Sequence, residues 1–433
     1  MSFDTSFPRP LLALLLIPAL ILSGCGSIYS NYREVEQLLL IETMGFDLLP
    51  EGVRLTMAAG MQSGGGKGAI RLSGTGGSIS AAMDRARNYS FEDELFYSQT
   101  NGILIGEQAA EQGIEPFLSY ICQSPILRTD VPVFIVRGGS AHEAIMNCGD
   151  AQHGVSEILQ GVTEYLEYRG ATHIFNASEL VRSDLRHGSA LACVLEYTDS
   201  AEPPAGEGRP SLAEKSPASP SPSGAQSSGD MGQREGAASE EEGASHGGDS
   251  EGSGAKTLAV AGYGVLKDNR LLAYIDNIQA VGVGFLIDQV GISTVELSDG
   301  RGKPVVLEIN DGKSHVRPLW NADGSLRKLE ISLEASAAVT EINDDADLSD
   351  KDYIRQLTEA LESYLAEQAG QVLRLSSRLG SDFLSLESRV QQAEPVLTAL
   401  LKEDFASLLG ELEMSLSVNA RLSHTNDMKE SLT

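Results

Sequence analysis

Residues 199–256 constrain the fold of this 433-residue chain more than any other stretch, because they cannot form a packed core. The stretch is rich in Ser, Gly, Ala, Pro and Glu and has almost no large aliphatic side chain. Such a composition buries too little apolar surface to offset the entropy lost on ordering. We interpret it as a disordered, acidic linker or surface insertion, and we call it the linker. The foldable sequence therefore falls into two regions, residues 32–198 and residues 257–433.

The first region alternates between strand-like and helix-like patterns, as mixed α/β regions do. The predicted strands are Gly52–Met61, Asn101–Ile105 and Val131–Val136. Ser78–Asn88 has apolar residues at helical spacing with Ser78 as the N-cap, and another helix is expected from Ala141 onward. We therefore predict a mixed α/β fold for residues 32–198.

The second region shows strand periodicity first and helical periodicity later. A hairpin is predicted to turn at Lys267–Asn269, and further alternating segments with Gly-rich turns follow it. After Ser349–Asp352, which has capping-box-like spacing, apolar residues mark one face of a long helix. Pro395 is placed to open a later helix, and residues 413–423 alternate as a final strand. This order predicts an antiparallel sheet packed on one side by long helices.

The N-terminus carries an apolar run, Leu11–Leu22, that ends close to a cysteine. The run is about as long as the apolar part of an export signal and too short to span a bilayer. Leu22-Ser23-Gly24-Cys25 looks like the lipobox of bacterial lipoprotein signals. We therefore predict a signal peptide over residues 1–24, fatty acyl chains such as palmitate on Cys25, and a tether over residues 25–31. The alternative is a buried cysteine within an ordinary membrane helix.

Charge and cysteine content narrow the class of protein further. The net charge is -29 and the sequence pI is about 4.5, so contacts to nucleic-acid phosphates are not expected. An anionic membrane surface would also repel the chain, which leaves the lipid and protein partners to hold it at a membrane. Cys122, Cys148 and Cys193 have no CxxC spacing, so we expect buried apolar thiols, with one disulfide plus one free thiol as the alternative.

Motifs with known chemistry do not fit this sequence. The Gly-rich stretch 60–77 lacks the spacing of a phosphate-binding loop, and the acidic stretch Asn343–Asp352 lacks the glycine of a calcium-binding loop. His142 and His153 flank Cys148 without zinc-ligand spacing, and we interpret them as surface histidines. The sequence thus predicts no catalytic, cofactor-binding or metal-ligating residues. Its one predicted site residue is Cys25, for lipid attachment.

Three stretches resemble the Ger(x)C family, the lipoprotein C subunits of spore nutrient germinant receptors. The first joins Cys25, Tyr32–Val35 and the triplet Gly45-Phe46-Asp47. The second, Phe96–Gly138, is similar to the family's strand, its helix beginning Gly-Glu, and its next strand. The third, "AGYGVLKDNRLLAYIDNIQAVGVGFLID", is similar to its hairpin and the glycine-containing segment that follows. The resemblance covers nearly the whole chain outside the linker.

This resemblance implies a non-enzymatic subunit with an elongated, multi-domain mixed α/β (α+β) fold. Family members lie at the outer face of the inner spore membrane. They act there with two integral membrane subunits, a transporter-like B-type subunit and an A-type subunit, in nutrient-triggered germination. Two alternatives remain from the residues alone. One is a lipid-anchored solute-binding protein of a membrane transporter, which would have two similar lobes, and the other is an anchored enzyme acting on the envelope.

Overall fold

The structure is a computed structural model. It describes residues 38–59, 70–89, 94–149, 154–199, 256–342, 348–399, 401 and 405–423. Within these ranges the chain forms 13 strands in two sheets and 11 helices. Cys25 and linker residues 200–255 lie outside the described residues, as do His153, residues 60–69 of the Gly-rich stretch and residues 343–347 of the acidic stretch.

The first sheet has nine strands in the order β3-β2-β1-β5-β6-β7-β8-β9, with the short β4 pairing with β1. These strands are β1 (Leu38–Leu49), β2 (Gly52–Ala59), β3 (Ile70–Gly76), β4 (Glu94–Phe96), β5 (Gly102–Gly106), β6 (Val133–Arg137), β7 (Ser189–Asp199), β8 (Lys256–Lys267) and β9 (Arg270–Ile275). β1, β5, β6 and β7 run parallel to one another, whereas the strands at both ends are antiparallel to their neighbours. Parallel strands need crossover helices, and the alternation seen in the sequence reflects this.

Helices cover both faces of the first sheet, so its central strands are continuous apolar runs. The helices are α1 (Ile79–Arg87), α2 (Glu107–Gln112), α3 (Glu115–Gln123), α4 (Ala141–Asn147), α5 (Val155–Tyr168) and α6 (Ala177–His187). Ile103 and Ile105 of β5 face the core formed with α1, α2, α3 and α6, and Leu104 faces the core formed with α4 and α5. Ser78 is the N-cap of α1 as predicted, because its side chain accepts a hydrogen bond from the Ala81 amide.

The first sheet continues across the linker. β7 ends at Asp199, β8 begins at Lys256, and the two strands pair antiparallel along their length. The predicted hairpin then forms between β8 and β9, with Asp268 and Asn269 at positive φ in its turn. The boundary expected at residue 257 therefore lies within one sheet, and the hairpin extends the N-terminal sheet instead of starting the C-terminal one.

The second sheet has four strands in the order β10-β11-β12-β13. The strands are β10 (Ser293–Ser298), β11 (Pro304–Trp320), β12 (Leu326–Glu341) and β13 (Glu413–Ser423). The helices that follow β9 are α7 (Asn277–Leu286), α8 (Lys351–Leu379), α9 (Leu386–Ala393), α10 (Pro395–Thr398) and α11 (Phe405–Leu408). Alternate residues of β11 and β12 pack with α7 and α8 in one core, which also includes Tyr263 and Val265 of β8.

The long helix α8 confirms the prediction from apolar spacing. Leu357, Leu361 and Leu365 are fully buried on its inner face, whereas Ile354 is half-buried. Its N-cap is Asp350, whose side chain accepts a hydrogen bond from the Asp352 amide. Pro395 begins α10, as its placement in the sequence suggested.

The last strand differs from the expected antiparallel arrangement. β13 runs parallel to β12, in register from Lys328 with Glu413 to Ala338 with Ser423. A strand that returns after a long helical connection is free to pair in this direction, whereas a hairpin is not. Glu362 of α8 accepts a hydrogen bond from the Ala420 amide at 2.9 Å, which ties the edge strand to the helix.

Candidate functional site

The predicted site residue, Cys25, lies outside the described residues, so lipid attachment remains a prediction. In the part of the chain that the structure describes, no helix is both long and apolar enough to cross a membrane. The best-defined polar site lies at the carboxyl ends of β1, β5 and β6, where ligands bind in many open α/β sheets. It contains Asp47, Gly106, Glu107 and Gly138, and we call these four residues the carboxyl-edge site.

Gly45 and Phe46 bring β1 into contact with helices on both faces of the sheet. A Cβ atom on Gly45 would lie 2.6 Å from Ile145 Cδ1 and 2.9 Å from Ala141 Cβ, so only glycine lets α4 pack this closely. Phe46 points to the opposite face, where its ring stacks on Phe117 of α3 with 5.3 Å between centroids. The first two residues of the motif thus set the spacing of the layers.

Asp47, the third motif residue, caps helix α4 from a distant strand. Its Oδ1 accepts a hydrogen bond from the Ala141 amide and its Oδ2 accepts one from the His142 amide, both at 2.8 Å. These amides belong to the first turn of the helix and have no partner within it. The side chain is buried, and burial raises the pKa of the Asp47 carboxyl although the two backbone hydrogen bonds act to lower it.

Gly106 and Glu107 complete the carboxyl-edge site. A Cβ atom on Gly106 would lie 2.1 Å from Asp47 Oδ1, so a larger residue would displace the carboxylate. Glu107 Oε2 accepts a hydrogen bond from the Gly138 amide at 3.0 Å, and its Oε1 accepts one from the Tyr274 hydroxyl at 2.7 Å. The Gly-Glu pair therefore connects the ends of β5 and β6 to β9.

Tyr274 is held between opposite charges. The Arg137 guanidinium lies 4.7 Å from the centroid of the Tyr274 ring, and the Glu107 carboxylate accepts a hydrogen bond from the Tyr274 hydroxyl. Burial, followed by this hydrogen bond, raises the pKa of the Tyr274 hydroxyl far above its usual range. Tyr274 therefore stays a hydrogen-bond donor at any physiological pH and serves as a fixed contact.

A cavity of about 480 Å³ opens beside the carboxyl-edge site. Four carboxylates, those of Asp47, Glu107, Glu111 and Glu143, and the guanidinium of Arg54 line it. Glu143 accepts hydrogen bonds from the backbone and side chain of Ser140, as part of the capping box of α4. The carboxylates of Asp47, Glu107 and Glu143 bind the protein's own backbone and hydroxyl groups, so they serve to hold strand ends and helix starts in place.

The three cysteines among the described residues, Cys122, Cys148 and Cys193, are free thiols in this structure. Cys148 and Cys193 are fully buried, and burial raises the pKa of each thiol to about 12, so neither is a nucleophile near neutral pH. Burial also raises the pKa of the half-buried Cys122. The interpretation of Cys148 and Cys193 as small buried apolar residues is confirmed.

His142 is half-buried, which differs from the surface position expected for it. Its Nδ1 lies 2.9 Å from the Thr56 hydroxyl on β2. Burial, together with the nearby Arg54, lowers the pKa of the imidazole. The ring is thus held against the sheet because α4 is packed there.

A second polar cluster was not visible in the sequence. Among the described residues, His187, Asp382 and Glu387 are the one group of three or more His, Cys, Asp or Glu side chains placed to hold a metal ion. His187 ends α6, whereas Glu387 lies in the first turn of α9, 200 positions later. No local motif signals a pairing over that distance, since tertiary packing alone brings the two helices together.

Comparison with known proteins finds family matches in both halves of the chain. Residues 31–196 match the "Spore germination protein N-terminal domain", and residues 261–426 match "Spore germination B3/ GerAC like, C-terminal". No curated protein matches the sequence. Among solved structures, "Crystal Structure of the GerBC protein" is similar, with a TM-score of 0.49 and 14% identity over 88% of this chain and 96% of that chain.

The two family matches extend across both sheets and leave out mainly the N-terminal segment and the linker. They include the motif residues that form the carboxyl-edge site and the segments that carry His187, Asp382 and Glu387. Together they span well over half of the sequence, and the chain therefore belongs to the Ger(x)C family of spore germination proteins.

Proposed function

We propose that this chain is the lipid-anchored C subunit of a spore germinant receptor and that it supports receptor assembly with a transporter-like B-type subunit and an A-type subunit. The family matches over residues 31–196 and 261–426 carry the proposal, because Ger(x)C proteins are receptor subunits and not enzymes. The protein would lie on the outer face of the inner spore membrane and contribute to nutrient-triggered germination.

The chemistry of the described residues supports a role in binding partners instead of catalysis. Asp47 and Glu107 are the most prominent carboxylates of the sheet's carboxyl edge, and both accept hydrogen bonds from the protein's own backbone. A general acid or base needs a proton-transfer partner on a substrate, which these fixed contacts do not provide. The buried thiols, with pKa values of about 12, are equally unsuited to nucleophilic catalysis.

Lipid attachment would place the folded part close to the membrane. Cys25 precedes Leu38, where β1 begins, by 13 residues. A fully extended chain of that length spans at most roughly 45 Å, so the start of β1 would stay within this distance of the lipid. Two or three acyl chains suffice for stable anchoring, and the net charge of -29 disfavours any further attraction to anionic lipids.

The solute-binding alternative has less support. Such a protein would have two similar lobes around a cleft, whereas the two sheets described here differ in strand number, strand direction and order. One is a nine-stranded sheet covered by helices on both faces, and the other is a four-stranded sheet with a single long helix across it. The receptor subunit therefore remains the proposal.

Membrane fractionation tests the anchor. Cys25→Ala should move the protein from the membrane fraction of spores to the soluble fraction, because the acyl chains can no longer be attached. Cys122→Ala, which alters a half-buried thiol outside the lipobox, is the matched control and should stay with the membrane. Full retention of Cys25→Ala in membranes would refute lipid anchoring.

Partner identity requires a separate experiment. The wild-type chain, purified from detergent-solubilised spore membranes, should bring with it a transporter-like subunit and a second multi-span subunit, both identified by mass spectrometry. Recovery of a transporter permease with an ATPase would instead establish the solute-binding alternative. Recovery of neither set, from membranes that contain the anchored protein, would contradict the assembly role.

A further inference from the structure

The cluster of His187, Asp382 and Glu387 lies where the two halves of the molecule meet. His187 of this cluster lines a cavity of about 500 Å³ between α6 and α9. The side chains of His187 and Asp382 are only 5% and 2% exposed, whereas that of Glu387 is 37% exposed. Two side chains that are able to carry charge are therefore buried, and the third is partly exposed to solvent.

The spacing of the three ligand atoms fits a small divalent cation. His187 Nδ1 lies 3.2 Å from Glu387 Oε2 and 3.7 Å from Asp382 Oδ2, and all three ligand atoms lie within 4.8 Å of one another. Tetrahedral Zn²⁺, with bonds of about 2.0–2.2 Å to nitrogen and oxygen, requires ligand atoms roughly 3.3–3.6 Å apart. Only small movements are needed, and the partly exposed Glu387 is free to make them.

The surrounding groups hold the ligands in orientations that suit a metal. Asp382 Oδ1 accepts a hydrogen bond from the Leu386 amide at 2.7 Å, and Oδ2 accepts one from the Glu387 amide at 2.9 Å. His187 Nε2 lies 3.1 Å from the Ser388 hydroxyl. With Nε2–H donating to that oxygen, the lone pair of Nδ1 points at the two carboxylates, which is the usual arrangement of a metal-bound histidine.

We propose that His187, Asp382 and Glu387 bind one divalent cation, with Zn²⁺ as the best fit, and that water from the cavity completes its coordination. Bound there, the ion joins the C-terminal end of α6 to the N-terminal end of α9. It thereby links the first sheet to the helices that cover the second. The site is separate from the proposed receptor role, since it needs no membrane partner.

A hydrogen-bonded pair of His187 and Glu387 is the competing explanation of the same contacts. In that arrangement the Nδ1–H of His187 donates a hydrogen bond to Glu387 Oε2, and the Ser388 hydroxyl donates one to Nε2. The hydrogen-bonded side chains would then occupy the position of the ion. The first explanation therefore expects the protein to bind metal at this point, and the second does not. Metal binding is therefore the measurement that separates them.

The test measures Zn²⁺ binding to the chelator-treated full chain in detergent, by equilibrium dialysis with metal analysis. Wild type should bind one equivalent of Zn²⁺ at this site, and His187→Gln should not bind this equivalent. Glu387→Gln should bind the same equivalent at least roughly 10-fold more weakly than wild type. His315→Gln removes an exposed histidine of β11 and is the matched control, expected to behave as wild type. Comparison of variants is essential because the linker carries His246 and many carboxylates.

Two results would overturn the proposal. One is equal Zn²⁺ stoichiometry and affinity in wild type, His187→Gln and His315→Gln, which would assign all binding to other groups. The other is the absence of any tightly bound equivalent in wild type, a result that does not depend on whether the variants fold. Thermal unfolding adds a second readout, since Zn²⁺ should raise the midpoint of wild type and of His315→Gln by more than that of a folded Glu387→Gln.

Discussion

Removal of the Asp47 carboxylate should loosen helix α4 without unfolding the whole sheet. The side chain is 6% exposed and accepts hydrogen bonds from the Ala141 and His142 amides, each at 2.8 Å. In Asp47→Ala these two amides lose their acceptor, and the helix offers no replacement because its first-turn amides have no partner within it. The remaining capping box of Ser140 and Glu143 satisfies only the amide of Glu143 and the backbone of Ser140.

The expected cost follows from these two amides. A buried donor left unsatisfied costs about 1–3 kcal/mol. The adjoining cavity admits water, which places each amide in the lower part of that range, so we expect a total loss of roughly 2–4 kcal/mol in the stability of α4. Burial raises the pKa of the Asp47 carboxyl, which means that the cost of desolvating its charge already offsets part of the stability that its hydrogen bonds contribute. The loss therefore arises mainly from the unpaired amides.

Hydrogen–deuterium exchange with mass spectrometry measures this loss locally. Peptides covering Ala141–Asn147 should exchange roughly 30- to 700-fold faster in Asp47→Ala than in wild type, and peptides from α8 should be unchanged. Asp84→Ala, at an exposed position on α1, is the control and should leave α4 unaffected. An increase of less than about 3-fold in α4 would refute the capping role, since it corresponds to well under 1 kcal/mol.

Two further predictions concern packing and pH. Gly45→Ala should lower the free energy of unfolding by about 1–3 kcal/mol through overpacking. Adding Ile145→Val removes the Cδ1 atom that lies 2.6 Å from the new Cβ, so the double variant should recover part of the lost stability in thermal unfolding. Equal stability of the single and double variants would contradict this contact. Burial lowers the pKa of the His173 imidazole below its ordinary value of about 6.5, so the contribution of this residue to stability is complete above that pH and is lost as the pH falls through the folded-state pKa. His173→Gln should therefore show a smaller decline in thermal midpoint than wild type between about pH 7.5 and pH 5, and parallel declines would contradict it.

Local patterns in the sequence predicted many elements of the fold correctly. The apolar spacing after Asp350 gave the long helix α8 and its buried face, and Ser78 was identified as an N-cap. The hairpin turn at Lys267–Asn269 formed as expected. Such features depend on residues close together in the chain, so period and capping chemistry suffice to predict them.

The partners of the strands and of the buried charges could not be predicted in this way. Sequence order suggested that the hairpin after the linker begins a new sheet, but β8 pairs with β7 and extends the first one. It also suggested an antiparallel final strand, whereas β13 lies parallel to β12. Strand neighbours are determined by which faces and edges remain uncovered once the layers pack, and the period of one strand carries no information about them.

The sequence by itself determined the kinds of elements along the chain, predicted a linker over residues 199–256 and indicated the family to which the chain belongs. Only the tertiary structure decided that Asp47 caps a helix 94 positions later and that His187 meets Glu387 across 200 positions. These contacts form because packed layers bring distant backbone amides and carboxylates within hydrogen-bond reach. A buried charge is stable only where such partners converge, and that condition depends on the whole fold.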